Sequence, residues 1–158
     1  MRPIQGDPDA ALAAERRRRQ VALAAGGGVV LVAVAAAGLA LGMRNAARRA
    51  VAAAESHLTI GRDGPELERV ERGASPEIWF TVVLDRAPTG SRLTLECDWL
   101  APDGTTARHN RWETRRIDRP AWPTHCRQGF DAGSPAGGWT VRMTLDGREL
   151  AARRFDVR

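Results

Sequence analysis

One uncharged run constrains what this chain can fold into. Residues 21–43, VALAAGGGVVLVAVAAAGLALGM, contain no charged side chain over 23 positions. About 20 apolar residues cross the hydrocarbon core of a bilayer as a helix, and the lack of water there forces the backbone to pair with itself. The run therefore predicts one transmembrane helix. It divides the chain into a short basic tail over residues 1–20, a stalk over 44–55 and a domain over 56–158.

The charges beside the run predict its orientation. Four arginines, residues 16–19, come directly before it, and basic residues are enriched on the cytoplasmic side of a span. Arg44 and the arginines after it reduce this contrast. We expect the amino terminus in the cytoplasm of a bacterium, the helix in the inner membrane, and the carboxy-terminal domain in the periplasm or outside the cell.

A cleavable secretory signal peptide is the alternative interpretation of the same residues, since a basic segment, an apolar segment and small residues also make up that signal. The apolar run is longer than the 7 to 15 residues typical of a signal peptide. Its best small-x-small site, Ala40-Leu41-Gly42, stands at the very end of the run. We therefore expect an uncleaved signal-anchor.

The segments around the end of the span predict two further contacts. Gly38 and Gly42 lie four positions apart, a spacing that lets two helices approach closely and form a homo-oligomer in the lipid bilayer. An Ala- and Gly-rich span also contains such pairs by chance. Residues 44–55 are rich in Ala and Arg without strand alternation, which predicts a helical stalk whose arginines lie near lipid head groups or in solvent.

The basic composition does not predict binding to nucleic acid. The net charge is +5 and the pI about 11.0, yet residues 1–20 hold five arginines and three acids, and residues 44–158 hold nineteen and sixteen. A nucleic-acid site requires a contiguous basic stripe, which this near balance does not supply. All 24 basic residues are Arg and Tyr is absent, as expected of a GC-rich genome.

Beyond residue 56 the apolar pattern has the period of β-strands. Ile78, Phe80, Val82 and Leu84 alternate with more polar residues, and Leu93, Leu95, Cys97 and Trp99 do the same. Asp146-Gly147 predicts a type I′ hairpin. Seven or eight short strands separated by turns indicate a single immunoglobulin-like antiparallel β-sandwich.

Three details of the sandwich follow from the same patterns. The polar segments 66–71 and 105–117 are typical of edge strands, where charge prevents unwanted pairing. Residues 118–123 are expected to form a loop. The apolar phase slips between Leu150 and Phe155, which predicts a bulge near residues 151–153.

The two cysteines, Cys97 and Cys126, both follow the predicted span. On the oxidising side of the membrane they would form a disulfide that stabilises the domain by about 3 to 4 kcal/mol in the chain-entropy model. The alternative is two unpaired buried thiols. Their spacing does not fit the inter-sheet bridge of antibody domains.

The end of the chain resembles a bacterial family of membrane-anchored domains of unknown function. The similar elements are G-x-W-x-V at Trp139 and Val141, the Asp146-Gly147 hairpin with Leu150 after it, and F-x-V at Phe155 and Val157. Trp99 followed by Pro102-Asp103-Gly104 is similar to an upstream element of that family. The resemblance covers about residues 56–158 and implies a sandwich outside the cytoplasm, without implying an activity.

No pattern in the sequence predicts catalysis, a metal site or a cofactor. There is no G-x-S-x-G, P-loop lysine or H-E-x-x-H. His57, His109 and His125 are scattered over three segments. Glu96 and Asp98 share a strand face, where a solvated surface explains them better than an acid/base pair. We expect a protein that is not an enzyme.

The tryptophans give the best candidate for a binding surface. Trp99 and Trp139 fall on apolar strand faces and are expected in the core, whereas Trp79 lies on an ambiguous phase. A patch of aromatic and Arg residues, both enriched in binding hot spots, is predicted from Trp112, Trp122, Arg111, Arg115, Arg116 and Arg119. Alternatively, Trp112 covers a sheet edge and Trp122 closes the end of the sandwich.

Two functions are compatible with this patch. The first is an interaction or structural protein that presents its sandwich to another envelope protein. The second is a module that binds glycan, peptidoglycan or lipid through the same surface, because planar rings also stack on sugars.

Overall fold

The computed structural model describes residues 39–158, in which residues 39–50 are helical and eight strands follow. The strands are β1 (Ala52–Ile60), β2 (Arg69–Val70), β3 (Glu77–Asp85), β4 (Thr94–Leu100), β5 (Thr106–Glu113), β6 (Trp122–Gly129), β7 (Gly137–Leu145) and β8 (Arg148–Val157). Most of the predicted span, residues 21–38, lies outside the described part of the chain. Within residues 39–158, no helix is both long and apolar enough to cross a membrane.

The strands form two sheets within the compact unit Ala47–Arg158. One sheet has the order β1-β3-β6 and the other has the order β2-β8-β7-β4-β5. Every pairing is antiparallel except that of β2 with β8. The predicted antiparallel sandwich with an immunoglobulin-like arrangement of seven or eight strands is confirmed.

The alternating apolar residues fill the space between the sheets, as predicted. The eight inward residues of β3, β4 and the turn before β4 have no exposed surface: Ile78, Phe80, Val82, Leu84, Leu93, Leu95, Cys97 and Trp99. Trp99 packs edge-on against Phe130 and Phe155, with ring centroids 6.2 and 6.1 Å away. Edge-to-face packing at such distances is favourable for aromatic rings. Trp139 is also buried and contacts Phe130 at 4.9 Å.

The hairpin between β7 and β8 has the predicted turn. Asp146 and Gly147 adopt φ values of 51° and 76°, the left-handed conformation that a type I′ turn requires at both positions. The bulge is slightly displaced from its predicted place. Met143 pairs with Ala151 and Thr144 with Glu149, so the extra residue is Leu150, just before the predicted 151–153.

The predicted helical stalk over residues 44–55 is wrong in its second half. The helix ends at residue 50, and β1 begins at Ala52, which pairs with Asp85 of β3. Val51 between them is buried. Alanine favours a helix by only a few tenths of a kcal/mol per residue over most alternatives, and the ladder with β3 outweighs that preference.

Two further boundaries differ from the sequence prediction. The segment 66–71 lies at a sheet edge as expected, but it is not one continuous strand. Glu66 forms an isolated antiparallel bridge with Thr59 of β1, and only Arg69 and Val70 join the five-stranded sheet, where they pair with β8 in parallel. Trp122, predicted in a loop, is the first residue of β6 and lies opposite Leu84 of β3. Proline at position 123 is tolerated there because β6 is an edge strand.

The predicted disulfide between Cys97 and Cys126 is confirmed, with a Cα–Cα distance of 6.5 Å. Cys97 belongs to β4 of the five-stranded sheet, and Cys126 belongs to β6 of the three-stranded sheet. The bridge therefore links the two sheets covalently, close to the side of the sandwich formed by the edge strands β5 and β6.

Candidate functional site

The two sheets end beside each other in an open groove. β5 is the outermost strand of the five-stranded sheet, and β6 is the outermost strand of the three-stranded sheet. A groove of about 670 Å³ lies between them, lined by residues 108–115 on one side and 122–127 on the other. We call it the edge groove.

The floor of the edge groove is aromatic and polar. Trp112 and Trp122 are half-buried and pack against the core. Cys126 places one end of the disulfide at the same floor. The side-chain nitrogen Nδ2 of Asn110 is buried there without a hydrogen-bond partner in the described residues, although its Oδ1 accepts a bond from Arg108 at 3.1 Å.

The rim of the edge groove carries an excess of positive charge. Arg111 lies 3.5 Å from Glu96, and Arg127 lies 3.2 Å from Glu77, so both have a carboxylate partner. Arg108 and Arg115 form no ion pair with any of residues 39–158. An anionic ligand would therefore meet two guanidinium groups that no carboxylate of the sandwich neutralises.

The structure brings together four of the six residues of the predicted patch. Trp112, Trp122, Arg111 and Arg115 all line the edge groove. Arg116 instead donates through Nε to the carbonyl oxygen of Gly90 at 3.0 Å, and Arg119 pairs with the adjacent Asp118 at 3.5 Å. Neither Arg116 nor Arg119 lines the groove.

Four basic residues of the groove were missed at the sequence level: Arg108, His109, His125 and Arg127. The alternation within β5 and within β6 predicts which face of its strand each residue occupies. Nothing in the sequence predicts that β5 and β6, which end two different sheets, become neighbours. That neighbourhood is a property of the tertiary fold.

His125 sits in a positive environment on the outer side of β6. Its ring packs against Trp79 with centroids 4.6 Å apart, and the Arg127 guanidinium lies 5.5 Å from the centre of the same indole. Burial, and then the charges of Arg62 and Arg127, lower the pKa of His125 below its usual 6.5. Arg127 and His125 both pack on the indole of Trp79, which thereby helps to position these two side chains of the rim.

Asp98 and Glu96, the two carboxylates considered for acid/base chemistry, form hydrogen bonds and ion pairs with neighbouring side chains on the solvent face of β4. Asp98 accepts hydrogen bonds from His109 Nδ1 at 2.7 Å and from Arg142 Nε at 3.1 Å. Burial works to raise the pKa of Asp98, but these two bonds outweigh it and the pKa is lowered. Glu96 pairs with Arg111, away from this cluster. Among residues 39–158, no three His, Cys, Asp or Glu side chains are arranged to hold a metal ion.

Comparisons with known proteins bear on the fold only. No family model matches the sequence, and no curated protein matches it. The chain is similar to an immunoglobulin-like protein from Pseudomonas aeruginosa with a TM-score of 0.48 and 18% identity, covering 68% of this chain and 96% of that one. It is also similar to part of an alkylpurine DNA glycosylase from Pseudomonas fluorescens, with a TM-score of 0.42 and 16% identity, covering 68% of this chain and 30% of that one.

A third similarity is to part of a putative β-galactosidase from Bacteroides fragilis, with a TM-score of 0.42 and 16% identity, covering 64% of this chain and 15% of that one. At these scores no function is carried over. The strands, sheets and disulfide described above define the class of the domain themselves: it is a disulfide-bridged immunoglobulin-like β-sandwich.

Proposed function

We propose that this chain is a single-pass membrane protein whose sandwich binds another envelope protein outside the cytoplasm. Residues 21–43 form the anchor, and the amino-terminal tail lies in the cytoplasm. The observation that carries the proposal is the edge groove, in which two half-buried tryptophans and unneutralised arginines meet. Trp and Arg are the residues that most often dominate binding energy at protein interfaces.

We also propose that the domain belongs to the bacterial family of membrane-anchored domains that its ending resembles. Trp139, Val141, Phe155 and Val157 of that ending are all buried between the sheets. The pattern on which the resemblance rests therefore describes the core of the sandwich. Self-association through Gly38 and Gly42 stays a prediction, because Gly38 lies outside the described residues.

Photo-crosslinking in living cells tests the docking proposal with the full-length chain. A photoreactive phenylalanine analogue replaces Arg115 in the groove or, as the control, Arg69 on the opposite edge strand β2. We expect a light-dependent adduct of defined mass with an envelope protein at position 115 and none at 69. Trp122→Ala in the same chain should reduce the yield. Equal adducts at both positions, or none at either, would contradict the proposal.

A glycan, peptidoglycan or lipid ligand is the alternative for the same groove, because its tryptophans could stack on sugar rings. Co-sedimentation of the full-length protein with purified cell wall, and separately with anionic vesicles, examines it. Retention that the double variant Trp112→Ala and Trp122→Ala abolishes, together with no protein adduct at position 115, would replace the protein partner by such a ligand.

A further inference from the structure

The edge of β6 that faces the groove carries unpaired backbone groups. The N–H of Phe130 donates to the carbonyl of Pro76 at 2.9 Å, and the register places Cys126 opposite Phe80. Because bonded and non-bonded pairs alternate in an antiparallel ladder, the even-numbered residues of β6 bond to β3. The backbone groups of His125 and Arg127 therefore face the groove, where they have no partner among residues 39–158.

The facing edge of β5 is unpaired in the same way. Thr114 donates to the carbonyl of Leu93 at 2.9 Å, and Trp112 lies opposite Leu95. The backbone groups of His109 and Arg111 consequently face the groove. Two open strand edges thus border one groove, and β6 alone offers residues 122–127, about 20 Å of extended chain at roughly 3.3 Å per residue.

The charge around the β6 edge favours an acidic occupant. His125 lies close enough to Arg62 and Arg127 for both guanidinium groups to disfavour its protonation, so the local field is positive. Across the groove, Arg108 and Arg115 make no ion pair within the described residues. The other basic residues of the groove already have carboxylate partners: His109 contacts Asp98 at 2.7 Å, Arg111 contacts Glu96 at 3.5 Å, and Arg127 contacts Glu77 at 3.2 Å.

The same charge disfavours a second copy of this chain as the occupant. Antiparallel pairing of two β6 edges would bring Arg127 of one copy close to Arg127 of the other, on edges whose local field is already positive. Like charges directly opposite on neighbouring strands destabilise the pairing. Because proline has no N–H, Pro123 leaves His125 and Arg127 as the residues of 122–127 whose N–H groups are available to any added strand.

We propose that the edge groove binds an extended acidic segment of another protein, which adds to the three-stranded sheet as a fourth strand beside β6. Main-chain hydrogen bonds to His125 and Arg127 supply affinity, and alternate side chains of the added strand contact Trp112 and Trp122 or the cationic rim. This inference rests on the proposed function and specifies the chemistry of its partner.

A defined peptide tests the inference against the full-length protein in detergent micelles. The probe is a fluorescent, end-capped octapeptide of alternating Val and Asp, and binding is followed by fluorescence anisotropy. We expect saturable binding that the Val-Asn counterpart loses. Two further peptides carry N-methyl groups on either all four Val or all four Asp nitrogens. In an added strand, only one of these sets faces β6.

One methylated peptide should therefore bind at least about tenfold more weakly, and the other should bind as the parent does. Equal affinities of the two methylated peptides, equal affinity of the Val-Asn peptide, or no saturable binding of the acidic probe would each overturn strand addition. These peptide arms do not depend on any variant of the protein.

Protein variants supply a second arm. His125→Pro removes one N–H from the free edge without touching the bonds to β3, whereas His125→Gln keeps that N–H. Arg115→Glu reverses one charge of the rim, and Arg69→Glu makes the same change on the opposite edge strand. We expect weaker probe binding only for His125→Pro and Arg115→Glu, after thermal melting has shown that each variant is folded. Unchanged binding by both would overturn the inference.

The crosslinking experiment separates this inference from the proposed function. A specific adduct from position 115 without any binding of the acidic probe would support docking of an envelope protein and overturn strand addition. If neither a specific adduct nor probe binding is observed, both the docking proposal and strand addition are overturned.

Discussion

At the scale of single residues, Asp98 shows how a surface carboxylate is committed to structure. It is 15% exposed and lies between His109 on β5 and Arg142 on β7, so its two hydrogen bonds join three neighbouring strands. Register explains the contact, because Asp98 is directly opposite both residues. The cluster therefore stabilises the outer face of the sheet that carries one wall of the edge groove.

We expect Asp98→Asn to lower the free energy of unfolding at pH 7 by about 2 kcal/mol, since hydrogen bonds to a charged group contribute about 1.5 to 3 kcal/mol. Because the pKa of Asp98 is lowered in the folded state, its contribution is present above pH 3.8 and is lost as the pH falls through the folded value. Urea unfolding from pH 7 to pH 3 should show the difference from wild type shrinking. Asp118→Asn, which breaks an exposed pair, is the control and should change stability by less than about 0.5 kcal/mol.

Gly64 is a second residue whose identity is set by the fold, because the turn leaves no room for a side chain at this position. A Cβ atom there would overlap the carbonyl oxygen of Ile60, a contact that only a backbone shift could relieve. We expect Gly64→Ala to destabilise the domain by about 1 to 3 kcal/mol in thermal or chemical unfolding. Gly73→Ala, whose Cβ would meet nothing within 4 Å, serves as the matched control. Equal melting temperatures for the two variants would contradict this reading of the turn.

At the scale of elements, the alternation of apolar and polar residues predicted where the strands are far better than it predicted which strands lie next to each other. The inward residues of β3 and β4 are the predicted ones because a period of two allows only one buried face. Residues 52–55 were misassigned because Ala-rich segments favour a helix locally, and only the distant β3 turns them into a strand. The edge groove could not be predicted, since it depends on which strands end each sheet.

The disulfide is the covalent tie between the two sheets, and it borders the groove through Cys126. It closes a loop with a sequence separation of 29, for which chain entropy gives about 3.5 kcal/mol of stabilisation. We expect Cys97→Ser with Cys126→Ser to lose about that amount in urea unfolding, and reduction of the wild type to lose the same. A loss below about 1 kcal/mol in both measurements would show that packing alone holds the sheets together.

At the scale of the whole molecule, the uncharged run and the disulfide point to the same arrangement. Disulfides persist in oxidising compartments, and the four arginines before residues 21–43 favour a cytoplasmic amino terminus. A sandwich presented beyond the membrane would expose the edge groove to other envelope proteins, which is where the proposed function requires it.

Thiol labelling on intact cells tests this topology. The native cysteines are bonded to each other, so a membrane-impermeant maleimide should label wild type only after reduction. Thr106→Cys, at an exposed position of β5, should be labelled in intact cells, whereas Gln5→Cys should be labelled only after the cells are made permeable. Labelling of Gln5→Cys in intact cells would invert the predicted orientation. Loss of an amino-terminal epitope tag from the mature protein would instead show a cleaved signal peptide.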